Sequence, residues 1–76
     1  MRVDIVSILE TLAEQGVTAL VKADGERMLE RSHPWTFVAS GEPLGGQVVR
    51  VDAVSVEACL AAAVPRLRAL GVSVPE

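Results

Sequence analysis

The order of hydrophobic patterns along the chain is the feature that most limits its fold. Apolar residues recur first at helical spacing, then alternate through three short segments, and finally return to helical spacing. In a chain of 76 residues, this order predicts one small α+β domain spanning residues 1–76. We expect an αβββα two-layer sandwich, with both helices packed on one face of a three-stranded antiparallel sheet.

Both predicted helices are amphipathic and have recognisable ends. The first runs from about residue 4 to residue 15, where Asp4 can cap the N-terminus and Gly16 suits a left-handed position after the last turn. The second begins after a cap at Ser55 and ends before Gly71. Each helix has one apolar face that must be buried.

Three segments with alternating polarity predict strands at Val17–Ala23, Trp35–Ser40 and Gln47–Ala53. Residues of one parity are apolar in all three segments, so they predict the sheet face that the helices cover. These residues are Val17, Ala19, Val21, Trp35, Phe37, Ala39, Val49, Val51 and Ala53.

The segments that connect the strands differ from one another in the structure they predict. Asp24-Gly25 is a dipeptide typical of β-hairpins and predicts a tight turn after the first strand. Residues 26–33 leave two alternatives open, an extension of the second strand or an irregular helical turn ended by Pro34. Residues 41–46 contain three glycines and one proline and predict a loop.

The opposite parity predicts a sheet face left to solvent or to a partner. Its members are Thr18, Leu20, Lys22, Thr36, Val38, Ser40, Val48, Arg50 and Asp52. The apolar residues Leu20, Val38 and Val48 can align as a stripe with Lys22 and Arg50 beside it, so we treat these five as candidate partner-binding positions. Exposed single aliphatic residues are also ordinary on strands, which is the alternative explanation.

The two edges of an open sheet offer a second route to a partner, through strand addition or dimer formation. The segment His33-Pro34-Trp35 is a possible loop contact, because histidine is a pH-sensitive side chain and tryptophan anchors many interfaces. The alternative is that Trp35 fills one end of the core while His33 lies in a loop. Cys59 lies on the apolar stripe of the second helix, which predicts a core position.

Charge and composition narrow the functional classes. Seven basic and ten acidic residues give a net charge of −3, which disfavours non-specific binding to nucleic acid. One His, one Cys and no Tyr supply no recognisable catalytic constellation, metal-ligand spacing or cofactor motif, so we predict no catalytic residues, no metal and no cofactor. The single cysteine and the lack of a signal-like or membrane-spanning run in the sequence predict a cytoplasmic protein.

The helix–strand–strand–strand–helix order resembles that of double-stranded-RNA-binding domains. In those domains, basic residues that open the second helix contact phosphates across the major groove. Here that helix opens with Ser55-Val56-Glu57-Ala58-Cys59, and its first basic residue is Arg66. The resemblance therefore concerns topology, and RNA binding is the third hypothesis, disfavoured by charge.

The first hypothesis is a non-catalytic protein–protein interaction module, of the accessory, inhibitor or immunity and regulatory type, which acts through the open sheet face or an edge. Its partner is another protein or a second copy of the chain. The alternative is an oligomeric small-molecule-binding protein or small enzyme whose site lies at a subunit interface, because a monomer this small has difficulty enclosing a pocket.

Overall fold

The structure is a computed structural model that describes residues 4–75. Its elements are, in chain order, α1 (Ile5–Glu14), β1 (Thr18–Ala23), α2 (Gly25–Glu30), β2 (Trp35–Ser40), a 3-10 helix (Glu42–Leu44), β3 (Val49–Ala53) and α3 (Val56–Ala69).

The three strands form an antiparallel sheet with β2 in the centre. Leu20 on β1 is the Cα partner of Val38 on β2, and Val38 is in turn the partner of Arg50 on β3. Phe37 and Val49, which lie on the opposite parity, are buried on the helix side. The sequence-based assignment of the two faces is therefore confirmed for the centre of the sheet.

Both long helices pack on one face of the sheet, and the predicted α+β class is confirmed. Helix α1 lies against β1, whereas α3 lies against β2 and β3. Together they enclose a mainly aliphatic core. Its buried members are Ile8, Leu12, Val17, Phe37, Ala39, Leu44, Val49, Ala53, Cys59, Leu60, Ala63, Leu67, Val72 and Val74.

The predicted helix ends are confirmed. The Asp4 side chain accepts a hydrogen bond from the Ser7 amide, and the Ser55 side chain accepts one from the Ala58 amide, each over 3.0 Å. Gly16 and Gly71 follow the two helices with φ of 90° and 87°, a left-handed backbone that glycine adopts without steric penalty.

The predicted hairpin turn at Asp24-Gly25 is wrong. Asp24 instead caps α2, and its side chain accepts hydrogen bonds from the amides of Glu26 and Arg27. Aspartate is favoured at helix N-caps as well as in turns, and two satisfied amide donors favour the helix here. Of the two alternatives open for residues 26–33, the structure contains the helical one, which ends at Arg31 in a left-handed conformation.

The loop predicted at residues 41–46 contains the 3-10 helix and also contributes to the core. Leu44, its only large aliphatic residue, is 1 % exposed. Gly41 has φ of 132°, and a Cβ atom at this position would lie 2.8 Å from the Gly16 carbonyl oxygen. The loop therefore packs directly against the turn between α1 and β1.

The segment after α3 closes the core between the two long helices. Val72 and Val74 are buried, and the intervening Ser73 exchanges two backbone hydrogen bonds with the Gln15 side chain of α1. Arg68 on α3 donates to the Val74 carbonyl over 3.1 Å. These contacts tie the end of the described chain to both helices.

Candidate functional site

The sheet face opposite α1 and α3 is the candidate site. Four of the five candidate partner-binding residues lie on it within the strands, namely Leu20, Lys22, Val38 and Arg50. The fifth, Val48, immediately precedes β3, which begins at Val49 and not at the predicted Gln47.

An apolar strip crosses this face obliquely. Leu20 and Val38 are directly paired, and Val48 lies on β3's side of the sheet, two residues before the partner of Val38. Leu20 is 48 % exposed and Val48 is 56 % exposed, whereas Val38 is half-buried between its neighbours. Lys22 and Arg50 place cationic groups beside the strip.

The remainder of the face is occupied by a polar network that sequence reasoning missed. Arg27 of α2 donates through Nη2 to Thr36 Oγ1 over 2.9 Å and through Nη1 to Asp52 Oδ1 over 3.1 Å. The Thr36 hydroxyl in turn donates to Asp52 Oδ1 over 2.5 Å. Asp24 and Arg50 complete the network through contacts of 3.4 Å to Arg27 Nε and 3.5 Å to Asp52 Oδ2, respectively.

This network corrects one expectation. Thr36 was predicted on the face left to solvent or a partner, but it is 1 % exposed because the Arg27 side chain covers it. Arg27 itself pairs with Asp24 and Asp52. The charge-bearing residues Arg27 and Asp52 lie 25 positions apart, so neither local spacing nor strand alternation indicated their contact.

The network also sets the charge state of Asp52. The Thr36 hydroxyl and then the Arg27 guanidinium hydrogen-bond to the carboxylate and lower the pKa of Asp52 to about 2. The backbone amide of Arg27, followed in effect by that of Glu26, lowers the pKa of Asp24. Both carboxylates are therefore ionised at neutral pH, and they serve to hold α2 rather than to exchange protons.

The two possible loop contacts differ in their surroundings. Trp35 is half-buried and packs against the core cluster, as expected from the alternative in which it fills one end of the core. Its carbonyl accepts a hydrogen bond from the Cys59 thiol over 3.4 Å. His33 is exposed just before it.

Cys59 occupies the predicted core position. Its side chain is fully buried, and burial raises the pKa of the thiol above its ordinary value. A thiol that is buried and protonated is a poor nucleophile. Cys59 therefore acts as a small apolar residue between α3 and the sheet.

A depression near the end of α1 is weaker evidence for a binding site than the sheet face. This shallow depression of about 500 Å³ is lined by Gln15, Gly16, Glu42 and Pro43, but the Gln15 amide already bonds to Thr11 and Ser73.

Within residues 4–75, no group of three or more His, Cys, Asp and Glu side chains is arranged to hold a metal ion. No helix in that range has the length and apolar character needed to cross a membrane.

Comparisons with known proteins do not extend this description. No protein-family model matches the chain, and neither the curated proteins nor the solved structures include a significant match.

Proposed function

We propose that this chain is a non-catalytic protein–protein interaction module that binds its partner through the sheet face opposite α1 and α3. The apolar strip of Leu20, Val38 and Val48 is the observation that carries the proposal. It runs from β1 across β2 to the residue just before β3, so a partner that covers it spans the width of the sheet at this end. Apolar surface that is contiguous and bordered by charge is typical of interaction sites.

The polar network supports the same proposal, because it makes one side of the strip rigid. Arg27, Thr36 and Asp52 are linked to one another by hydrogen bonds and join α2 to the two strands beneath it. A surface whose side chains are already held in place loses little conformational entropy when a partner binds. The strip therefore has a fixed border on the α2 side.

The charges beside the strip indicate the chemistry of the partner. Lys22 makes no salt bridge with any described residue, whereas Arg50 shares the Asp52 carboxylate with Arg27. A partner that presents aliphatic side chains flanked by a carboxylate would cover Leu20 and pair with Lys22. The partner we propose is thus a protein with an apolar and acidic surface.

The test is capture of the partner by tagged protein from host cells after nuclease treatment, using two valine variants. Val48→Glu places a charge on the strip, and Val54→Glu makes the same change at a residue of similar exposure, 63 % against 56 %, beyond the other end of β3. We expect a stoichiometric protein that is lost with Val48→Glu and retained with Val54→Glu.

Two outcomes would contradict the proposal. Equal capture by both variants would place the binding surface elsewhere on the molecule. A preparation that contains only the chain itself would favour the oligomeric ligand-binding or enzymatic alternative. A nucleic-acid partner is tested separately with a generic RNA or DNA probe, for which we expect no shift at moderate salt.

A further inference from the structure

The two edges of the sheet differ in how their backbone groups are satisfied. Just beyond the β1–β2 ladder, the Asp24 amide donates to the Pro34 carbonyl over 2.8 Å. Hydrogen bonding in an antiparallel pair alternates every second residue, so Lys22, Leu20 and Thr18 direct their backbone groups inward to β2. Ala19, Val21 and Ala23 therefore direct their amides and carbonyls outward, and no described group bonds to them.

The β3 edge, by contrast, is partly closed. The same alternation directs the backbone groups of Arg50 and Asp52 outward from β3. The guanidinium of Arg66 on α3 donates to the Arg50 carbonyl over 3.2 Å. A charged side chain across an edge is one of the ways in which proteins prevent strand addition.

The margin of the molecule along β1 is only partly covered, because α1 lies against the strand without burying it. No residue of β1 is fully buried, and Ala19 and Val21 remain half-exposed even though they point to the helix side. Lys22 is the only charged residue in the strand. An apolar edge of this kind, with no bulge, no proline and no described element across its outward backbone groups, is a site for pairing with another strand.

Helix α1 continues this apolar margin above the sheet. Gln15 and Thr11 lie on the flank of α1 that faces the segment after α3, since Gln15 bonds to Ser73 there. In a helix of about 3.6 residues per turn, Leu9 lies on the opposite flank, toward the outer side of β1, and Val6 lies further from the sheet. Leu9 is half-buried and Val6 is 61 % exposed.

We propose that a second copy of this chain pairs with the β1 edge, so that two β1 strands run antiparallel about a two-fold axis at Val21. In this register Val21 faces the partner copy's Val21, and Ala19 faces its Ala23. Each of these pairs exchanges two backbone hydrogen bonds, which satisfies every outward amide and carbonyl of the strand. Other symmetric registers leave at least one of these residues unpaired.

The same register suits the side chains. Leu20 lies opposite the partner copy's Lys22, whose methylene stem can cover it while the ammonium group remains in water. On the helix side, the half-exposed Val21 residues cover each other. The α1 flank that carries Leu9 lies on the same side of the sheet as this junction, so the two flanks face each other across the axis.

This inference goes beyond the proposed function, since it concerns the β1 edge rather than the sheet face, and the dimer joins two apolar strips on one extended sheet. The first measurement is the mass of the purified chain by sedimentation equilibrium over a broad concentration range, together with amide hydrogen exchange. We expect a dimer in which the Ala19, Val21 and Ala23 amides become protected as concentration rises, while Leu20 and Lys22 are protected throughout.

Variants separate this edge from the sheet face. Ala23→Pro removes an outward amide at an exposed position, so no internal ladder bond is lost, and it should weaken the dimer at least about tenfold. Val48→Glu should leave the dimer intact, because Val48 lies beside the other edge. Circular dichroism of both variants establishes that they fold.

Disulfide formation tests the register. A mixture of Leu20→Cys and Lys22→Cys chains should cross-link under mild oxidation, since these positions face each other across the axis. Neither variant alone should do so, because its own copies are then diagonal and about 7–8 Å apart.

A monomer at all concentrations, or unchanged exchange at Ala19, Val21 and Ala23, would overturn the inference. A dimer lost with Val48→Glu but not with Ala23→Pro, or a cross-link formed by Leu20→Cys alone, would do the same. These measurements use the purified chain only. If these measurements find no dimer but partner capture succeeds, the edge dimer is refuted and the proposed function stands. If the dimer is found but no partner is captured, only the proposed function is refuted.

Discussion

Arg27 Nη1 donates a hydrogen bond to Asp52 Oδ1 over 3.1 Å, across the sheet face that α1 and α3 leave uncovered. The contact joins α2, which interrupts the connection between β1 and β2, to the last strand of the sheet. Thr36 on the central strand bonds to both side chains and is buried beneath them. One end of the open face is thereby closed, whereas Leu20 and Val48 of the apolar strip stay exposed at the other end.

Loss of the Arg27 side chain should release α2 from the sheet. Arg27→Met keeps an unbranched side chain but removes the guanidinium, so Thr36 and Asp52 lose their hydrogen bonds to α2 and keep only the one between them. We expect faster amide exchange within α2 and a lower melting temperature, with the rest of the sheet unchanged. Arg31→Met is the matched control, since Arg31 is exposed and forms no salt bridge with a described residue. Equal exchange in the two variants would contradict the role assigned to Arg27.

The stability of the chain should fall in acid through Asp52. The pKa of this carboxyl is lowered from 3.8 to about 2 in the folded protein. Its stabilising contribution is therefore fully present above the ordinary value and is lost as the pH falls toward about 2. Chemical denaturation of the wild type and of Asp52→Asn should differ most near neutral pH and converge between those two values. A constant difference across this range would contradict the assignment.

The sheet was predictable because strand alternation has a period of two and one parity is apolar throughout. The same reasoning failed where a residue had two possible roles. Asp24 suits both a hairpin turn and a helix cap, and part of what favours the helix is the tertiary contact of Arg27 with Asp52, which no local pattern shows. The burial of Thr36 depends on that helix, so the sequence pattern could not predict it either.

The loop residue Leu44 was missed for a related reason. Glycine and proline around it predict a surface loop, yet a single aliphatic residue in such a loop can still reach the core. Of the candidate site, alternation correctly indicated which strand residues share a face. The network that borders the strip depends on contacts between distant residues, which no local pattern encodes.

Leu44 should contribute to stability as a core residue does. Leu44→Ala removes a side chain that is 1 % exposed, and we expect a loss of about 2–5 kcal/mol in the free energy of unfolding. Leu29→Ala makes the same change on α2 at a side chain that is 87 % exposed, and its effect should be small. Urea denaturation of both variants measures the difference. Similar losses in the two would show that the loop does not anchor the core.

Gly41 should tolerate no side chain. An alanine Cβ would lie 2.8 Å from the Gly16 carbonyl, and φ of 132° is a backbone conformation that side chains rarely adopt. We expect Gly41→Ala to lower the free energy of unfolding by about 1–3 kcal/mol. Gly25→Ala is the control, because a Cβ there meets no atom within 4 Å and its φ is not positive. Its effect should be neutral or slightly stabilising, since alanine favours the helix at that position.

Cys59 should react with thiol reagents only when the chain unfolds. The side chain is fully buried, so the reagent cannot reach the sulfur in the folded state. Burial also raises the pKa of the thiol, which disfavours the reactive thiolate. Labelling with a disulfide reagent should be slow in buffer and should accelerate in parallel with unfolding as denaturant is added. A thiol introduced by Leu29→Cys, at a position that is 87 % exposed, serves as the reference and should react rapidly in the native protein. Rapid native labelling of the wild type would instead mean that α3 separates readily from the sheet, because Cys59 contacts the Trp35 and Val51 carbonyls beneath it.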